Sequence, residues 1–160
     1  MADKIVPCLW FDGDAEAATA FYVSLLPDSR VTAVNRSPVN TPSGPAGSVL
    51  TAQFVLAGHE YVALNGGPAF RFTEAVSFMV MTEDQAETDR LWYALLADGG
   101  SENACGWLKD RWGLSWQITP RRLMELTTDA NPARAAAAMT AMMSMIKIDI
   151  AALDRGVADL

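Results

Sequence analysis

Apolar residues recur along this chain with two different spacings, and the switches between them mark its elements. From Leu114 to Thr119 they alternate, with Leu114, Trp116 and Ile118 on one side of a strand and Ser115, Gln117 and Thr119 on the other. One apolar and one polar face predict core behind that strand and a polar concave surface in front of it. Between residues 18 and 26 the spacing is helical: Ala18, Phe21, Tyr22, Leu25 and Leu26 form a stripe, and Leu91, Trp92, Leu95 and Leu96 form a second. Asp12 or Asp14 and Thr82 or Asp84 are suited to cap these helices, Pro27 ends the first, and Gly99-Gly100 ends the second. Further strands are predicted at Ile5 to Phe11, Val31 to Asn35, Val49 to Leu56, Glu60 to Leu64, Val76 to Met81 and about Asn103 to Leu108. Ala57-Gly58-His59 turns two of them into a hairpin. The Asp-x-x-Gly run from Asp110 to Gly113 reverses the chain into the last strand, because Asp bonds nearby backbone and Gly takes φ > 0 without a Cβ clash.

The pattern repeats with an offset of 70 residues. Phe11 to Asp28 lies over Met81 to Asp98, with Asp14 on Asp84, Leu25-Leu26 on Leu95-Leu96 and Asp28 on Asp98. Each copy follows an apolar strand and precedes further strands, so two similar halves are expected rather than a solenoid, which needs three or more units. The Pro/Gly/Ser segment Ser37 to Gly47 is expected as a loop of the kind left mobile over a pocket. A separate tail begins at Asn131-Pro132, an N-cap followed by Pro at N1. It continues as an Ala/Met helix to about Ser144, then a second helix from near Asp149 to Arg155.

Composition narrows the function classes. The 160 residues, 51% hydrophobic and 19% charged, suit one compact domain or two small fused halves. A net charge of −7 argues against nucleic acid, because phosphate binding needs clustered Lys and Arg. No apolar run approaches the ~20 residues needed to span a bilayer, and the opening MADKIVPCLWF lacks the features of a signal peptide. Cys8 and Cys105 are too few and too far apart in sequence for a disulfide framework, and no CxxC or His/Cys cluster offers a zinc site. A soluble cytoplasmic protein is expected, with no nucleic-acid or membrane partner.

Three motifs carry a family resemblance: Pro7 to Tyr22 (PCLWFDGDAEAATAFY), Cys105 to Pro120 (CGWLKDRWGLSWQITP) and Asn131 to Leu153. With the paired halves, they resemble the vicinal-oxygen-chelate, or glyoxalase/bleomycin-resistance, superfamily. More narrowly they resemble its PhnB-like group, whose members often carry the label 3-demethylubiquinone methyltransferase. The resemblance implies an α+β fold of paired βαβββ modules with a C-terminal helical tail. One glyoxalase-like domain is expected at 1–122, made of halves 1–68 and 75–122, with a helical extension at 123–160. Superfamily enzymes hold a divalent metal in a cup between strands. Carried onto this chain, the first ligand position falls on Pro7 and its mate on Ser77; the last-strand carboxylate falls on Gln117, and the remaining position near Leu64 or Asn65. Pro has no ligating side chain, and Ser and Gln are poor neutral ligands for transition metals. No metal and no other cofactor is expected. The methyltransferase label implies a Gly-rich turn after a first parallel strand; Gly66-Gly67 and Gly99-Gly100 do not form one, and nothing reads GxGxxG.

Gln117 is the leading cup residue, since a mid-strand amide on the polar face both donates and accepts hydrogen bonds. Pairing to a neighbouring strand is the competing use of that amide. Ser77, Asn65, Ser115, Cys105 and Trp107 complete the set expected to line the cup. Trp116 belongs to the core face by alternation. Cys8, facing away from the cup if Pro7 faces in, is expected to pack in the core. His59, the only histidine, is expected in a solvated turn, as are Lys109, Asp110 and Arg111. The function expected is small-molecule binding or metal-independent catalysis, substrate unknown. A metal-dependent lyase or dioxygenase with atypical ligands, and a ligand-sequestering protein without turnover, stand as alternatives. A homodimer is expected, because the resemblance implies cups completed between modules and the Met-rich tail offers apolar surface.

Overall fold

A computed structural model describes residues 4–158 and residue 160, which divide into two compact units, 1–72 and 73–160. The first unit runs β1 (Cys8–Phe11), α1 (Ala15–Leu25), β2 (Arg30–Arg36), β3 (Val49–Leu56) and β4 (His59–Asn65). Its strands lie in the order β1-β4-β3-β2, with β1 parallel to β4 and the other pairs antiparallel. The β3–β4 hairpin turns on two residues, Ala57 and Gly58, both at positive φ, the conformation that matches the twist of paired strands. α1 covers one face of this sheet. Beneath it Leu9, Phe11, Ala15, Ala18, Tyr22, Ala52, Phe54 and Ala63 are buried, and Phe54 stacks on Tyr61 at 5.3 Å. The Ser37 to Gly47 loop, expected to be loose, is tied internally: Ser37 N–H donates to Ser48 O at 2.9 Å and Gly47 N–H to Ser37 O at 2.8 Å.

The second unit repeats the plan as β5 (Ser77–Thr82), α2 (Gln85–Leu96), β6 (Ser101–Glu102), β7 (Trp107–Lys109) and β8 (Ser115–Pro120). Its order is β5-β8-β7-β6, again with one parallel pair, β5 and β8. Leu91, Trp92, Leu95, Leu108, Trp116 and Ile118 are buried between sheet and α2, and Phe78 meets the edge of Trp116 at 5.2 Å. The strand expected at about Asn103 to Leu108 is interrupted. Cys105 and Gly106 both take positive φ, at 61° and 82°, so β6 ends before them and β7 begins after them.

Helices α3 (Arg121–Thr127), α4 (Pro132–Met143) and α5 (Ile150–Gly156) follow. α3 was not visible in the apolar pattern, because Pro120 ends the strand and at once serves as the helix N-cap residue. The three helices share a core of Leu123, Leu126, Ala138, Ile148, Leu153 and Val157. The chain between α4 and α5 is sewn to the second unit: Cys105 N–H donates to Met145 O at 2.8 Å and Gly106 N–H to Ile146 O at 2.7 Å. Gly106 has no room for a side chain, since a Cβ there would lie 2.9 Å from Ile118 O and 3.0 Å from Ile148 Cγ1. Among the described residues no helix is long and apolar enough to cross a membrane.

Strand register corrects the simple 70-residue superposition. Phe11 pairs with Asn65 as Thr82 pairs with Pro120, so Phe11 corresponds to Thr82 rather than Met81. The helices do keep the original offset. The difference is absorbed by Gly13, an extra residue before α1 held at φ +97°.

Candidate functional site

Each sheet has a helix-packed face and an opposite face, open in the sense that the unit's own helix leaves it uncovered. Residues paired across adjacent strands share a face, so register assigns the open face of the second unit. Gln117 pairs with Met79 on one side and Trp107 on the other; Ser115 pairs with Ser77 and with Lys109. Trp116 and Ile118, between them, are buried at 1% and 0% exposure on the helix side, as the alternation predicts. The Gln117 side chain turns toward Ser77, and its Nε2 donates to Ser77 Oγ at 2.8 Å. That bond leaves the Ser77 hydroxyl proton, the second amide proton and Oε1 of Gln117 available. Trp107, half-buried, and Met79, 51% exposed, flank the amide with an indole and a thioether. Met79 was absent from the residues expected to line the cup; only the β5–β8 register brings it there.

Ser115 is 1% exposed, and its Oγ has no hydrogen-bond partner among the described residues. A buried hydroxyl left unsatisfied costs about 1–3 kcal/mol. Lys109, opposite Ser115 on β7, pairs with Glu74, just ahead of β5, so this ion pair joins the strands on either side of Ser115. The ammonium of Lys109, hydrogen-bonded to Glu74, holds that carboxyl below the usual carboxylate range.

Asn65 and Cys105 are not part of this group. Asn65 is buried at the end of β4 on the helix-packed side, where its Oδ1 accepts from Ala15 N–H at 2.9 Å and its Nδ2 donates to Val49 O at 2.9 Å. It performs the cap expected of Asp12 or Asp14; Asp14 is the N-cap residue, but its side chain makes no cap hydrogen bond. In α2, by contrast, Asp84 caps as expected, accepting from Glu87 N–H at 2.8 Å. Cys105 is half-buried in the turn before β7, its amide engaged with Met145 O.

Three further expectations are corrected. Cys8 is exposed rather than part of the core, because Leu9 and Phe11 take the helix-packed side and leave Cys8 and Trp10 on the open face. Desolvation around its sulfur pushes the thiol pKa up, away from a reactive thiolate. Its pairing with Val62 makes Cys8 and Val62 the first-unit counterparts of Met79 and Gln117, so Pro7 and Ser77 are not a symmetric pair. Asp110 is buried, not solvated: its carboxylate accepts from Trp112 N–H at 2.9 Å, Leu114 N–H at 3.1 Å and Trp116 Nε1–H at 2.9 Å. Lys109 and Arg111 are half-buried and paired with Glu74 and Asp98. His59 is exposed where the hairpin turn enters β4.

On the open face of the first unit, Trp10 donates Nε1–H to Gly67 O at 2.7 Å and meets Phe70 edge-on at 4.9 Å. A Cβ at Gly66 would fall 2.2 Å from the Trp10 ring, which explains the Gly pair after β4. Neither sheet's open face carries the ligand set that the superfamily resemblance implies. The register positions hold Cys8 and Val62 in one sheet and Met79 and Gln117 in the other. Among the described residues no three His, Cys, Asp or Glu side chains come together to hold an ion. A cleft of about 590 Å³ between the start of α2 and the tail is lined by Asp84, Asp89, Asp149, Asp154, Arg122 and Lys147. Its carboxylates cap α2 and α5 or pair with Arg122 and Lys147, so they serve the packing of the tail.

Two βαβββ units, each a four-stranded sheet with one helix-covered and one open face, define the glyoxalase/bleomycin-resistance-like class of α+β protein. The chain belongs to the 3-demethylubiquinone-9 3-methyltransferase family, whose model matches residues 3–119, and to its PhnB-like group. The PhnB protein of Bacillus cereus, a putative 3-demethylubiquinone-9 3-methyltransferase, is similar at 35% identity. The match covers 74% of this chain and 99% of that one, with a TM-score of 0.67. Protein PA1353 of Pseudomonas aeruginosa shares the fold at 24% identity, covering 74% of this chain and 98% of its own, with a TM-score of 0.60. No curated protein matches the chain. Helices α3 to α5 lie beyond the family match.

Proposed function

We propose that this glyoxalase-like protein binds a small organic molecule on the open face of its second sheet, without a metal. The observation that carries the reading is the Gln117–Ser77 hydrogen bond at 2.8 Å, flanked by Trp107 and Met79. At the position where superfamily enzymes place a carboxylate ligand, this chain holds a neutral amide with unused donor and acceptor capacity beside an aromatic ring. Such a mix of apolar wall and few polar groups is typical of small-molecule sites. The word methyltransferase belongs to the family's name, and the proposal extends to binding, not to methyl transfer. A cytoplasmic location and a homodimer complete the reading.

Intact-mass analysis of natively purified protein tests it. A co-purifying small molecule is expected, lost or much reduced in Gln117→Ala, with chelator dialysis leaving retention unchanged. One tightly bound transition metal per chain, or retention abolished by chelator and restored by metal, would overturn the metal-free site. It would favour the lyase or dioxygenase alternative.

A further inference from the structure

We propose that the Ser115 hydroxyl is a ligand contact, and that the end of the ligand held by Ser115, Ser77 and Gln117 is uncharged. The inference rests on the reading that this open face binds a small molecule. It starts from the orphaned Oγ of Ser115, at 1% exposure, two residues before Gln117 on the same face and directly paired with Ser77. A hydroxyl on a central strand that finds no partner costs stability, and alanine would fill the same space without that cost. Its neighbours along the face extend the argument. Ser77, having accepted from Gln117, has a proton left to donate, and Gln117 keeps an open Oε1 and a second amide proton. Ser115, Ser77 and Gln117 thus present donors and acceptors together, and none carries charge.

Lys109, the register partner of Ser115 on this face, is neutralised by its ion pair with Glu74. A ligand carboxylate would find the Lys109 ammonium already paired, and a ligand ammonium the Glu74 carboxylate already paired, so burying either is unfavourable. A primary amide or a hydroxyl, which both donates and accepts, matches the row, and an attached ring matches Trp107 and Met79. The Lys109 and Glu74 side chains are 36% and 55% exposed, so the two, still paired, have room to swing aside together and admit a ligand to Ser115.

Benzamide, benzoate and benzylammonium, equal in shape and different in charge, provide the test. Binding is followed by the NMR shifts of the Gln117 side-chain amide, alongside thermal melts. Benzamide is expected to bind at least about 10-fold more tightly than either ion. Ser115→Ala is expected to weaken benzamide about 3- to 10-fold while its Tm stays equal to wild type or rises, since a lost hydrogen bond to ligand and a removed orphan act in opposite directions. Ser77→Ala is expected to weaken benzamide in the same range. A merely structural Ser115 would lower Tm and leave affinity alone. If benzamide shifts Gln117 but Ser115→Ala binds it equally well or melts lower, or if either ion binds as tightly as benzamide, the inference is overturned while the small-molecule reading stands. If no probe shifts Gln117 the inference is also overturned, and the small-molecule reading is judged separately by ligand retention in Gln117→Ala.

Discussion

Adjacent residues on β8 have opposite jobs. Trp116 is buried against Phe78 with its indole N–H bonded to Asp110, whereas Gln117 faces the other way toward Ser77. Trp116→Ala is therefore expected to cost about 3–5 kcal/mol, the cost of deleting a large buried ring. Gln117→Ala is expected to cost about 1 kcal/mol or less, because it leaves no core cavity. Thermal or urea melts check the pair, and a larger loss for Gln117→Ala would reverse the assignment of the two faces. Asp110 shows where residue-by-residue reading reaches its limit. Its turn role follows from the Asp-x-x-Gly spacing, but its bond to Trp116 Nε1, six residues on, requires the β7–β8 hairpin to fold the indole back over the turn. That third bond is why Asp110 is buried and not solvated.

Between elements, a group of polar contacts joins the tail to α2. Lys147 bonds Asp89 and the Tyr93 hydroxyl, and its ammonium sits over the Tyr93 ring at 4.8 Å. Gln85 donates to Asp89 at 2.9 Å and to Ile148 O at 3.1 Å, and accepts from Ile150 N–H at 2.9 Å. Hydrogen bonds from Lys147, then from Gln85, hold the Asp89 carboxyl below the usual carboxylate range. The folded state therefore binds fewer protons at this site than the unfolded chain. The stabilisation is complete above the ordinary carboxylate range and lost as pH falls through the lowered folded value. Denaturant melts from neutral pH down to about pH 3 are expected to show Asp89→Asn less stable than wild type at neutral pH, the gap closing on acidification. A gap that stays constant with pH would remove Asp89 from the acid response. Ile148, 0% exposed and packed against Gly106, is the apolar half of the same junction. Ile148→Ala is expected to cost about 2–5 kcal/mol by equilibrium unfolding.

At the scale of the whole molecule, the proposed homodimer is the property most open to measurement. Met139, Met143, Ile146 and Tyr93 are exposed at 42–61% on α2 and the tail, an apolar surface of the composition found in stable interfaces. Sedimentation or light scattering at micromolar concentration is expected to give a mass of about twice 17.2 kDa, and a mass equal to that figure would overturn the dimer. The repeat was legible at this scale because both halves use the same helix stripe and the same flanking strands. Its true alignment was not, because the insertion that separates the strand and helix offsets is one glycine in a turn, invisible to the apolar pattern. That single residue moved the expected cup position from Cys8 to Pro7 and sent Cys8, on paper, into the core.

The sequence by itself determined the elements that local periodicity and turn chemistry control: helices α1, α2 and α4, the β3–β4 hairpin, the two faces of β8, and the shared plan of the halves. Only the tertiary structure decided which side chains meet. Met79 beside Gln117, Ser77 as the amide's acceptor and Ser115 without a partner all follow from parallel β5–β8 register, a pairing between segments about 40 residues apart that no local pattern encodes. Asn65 became a helix cap for the same reason. Its amide reaches Ala15 across 50 residues of chain because β4 lies beside β1, and a hydrogen bond made at that distance in sequence is a property of the fold alone.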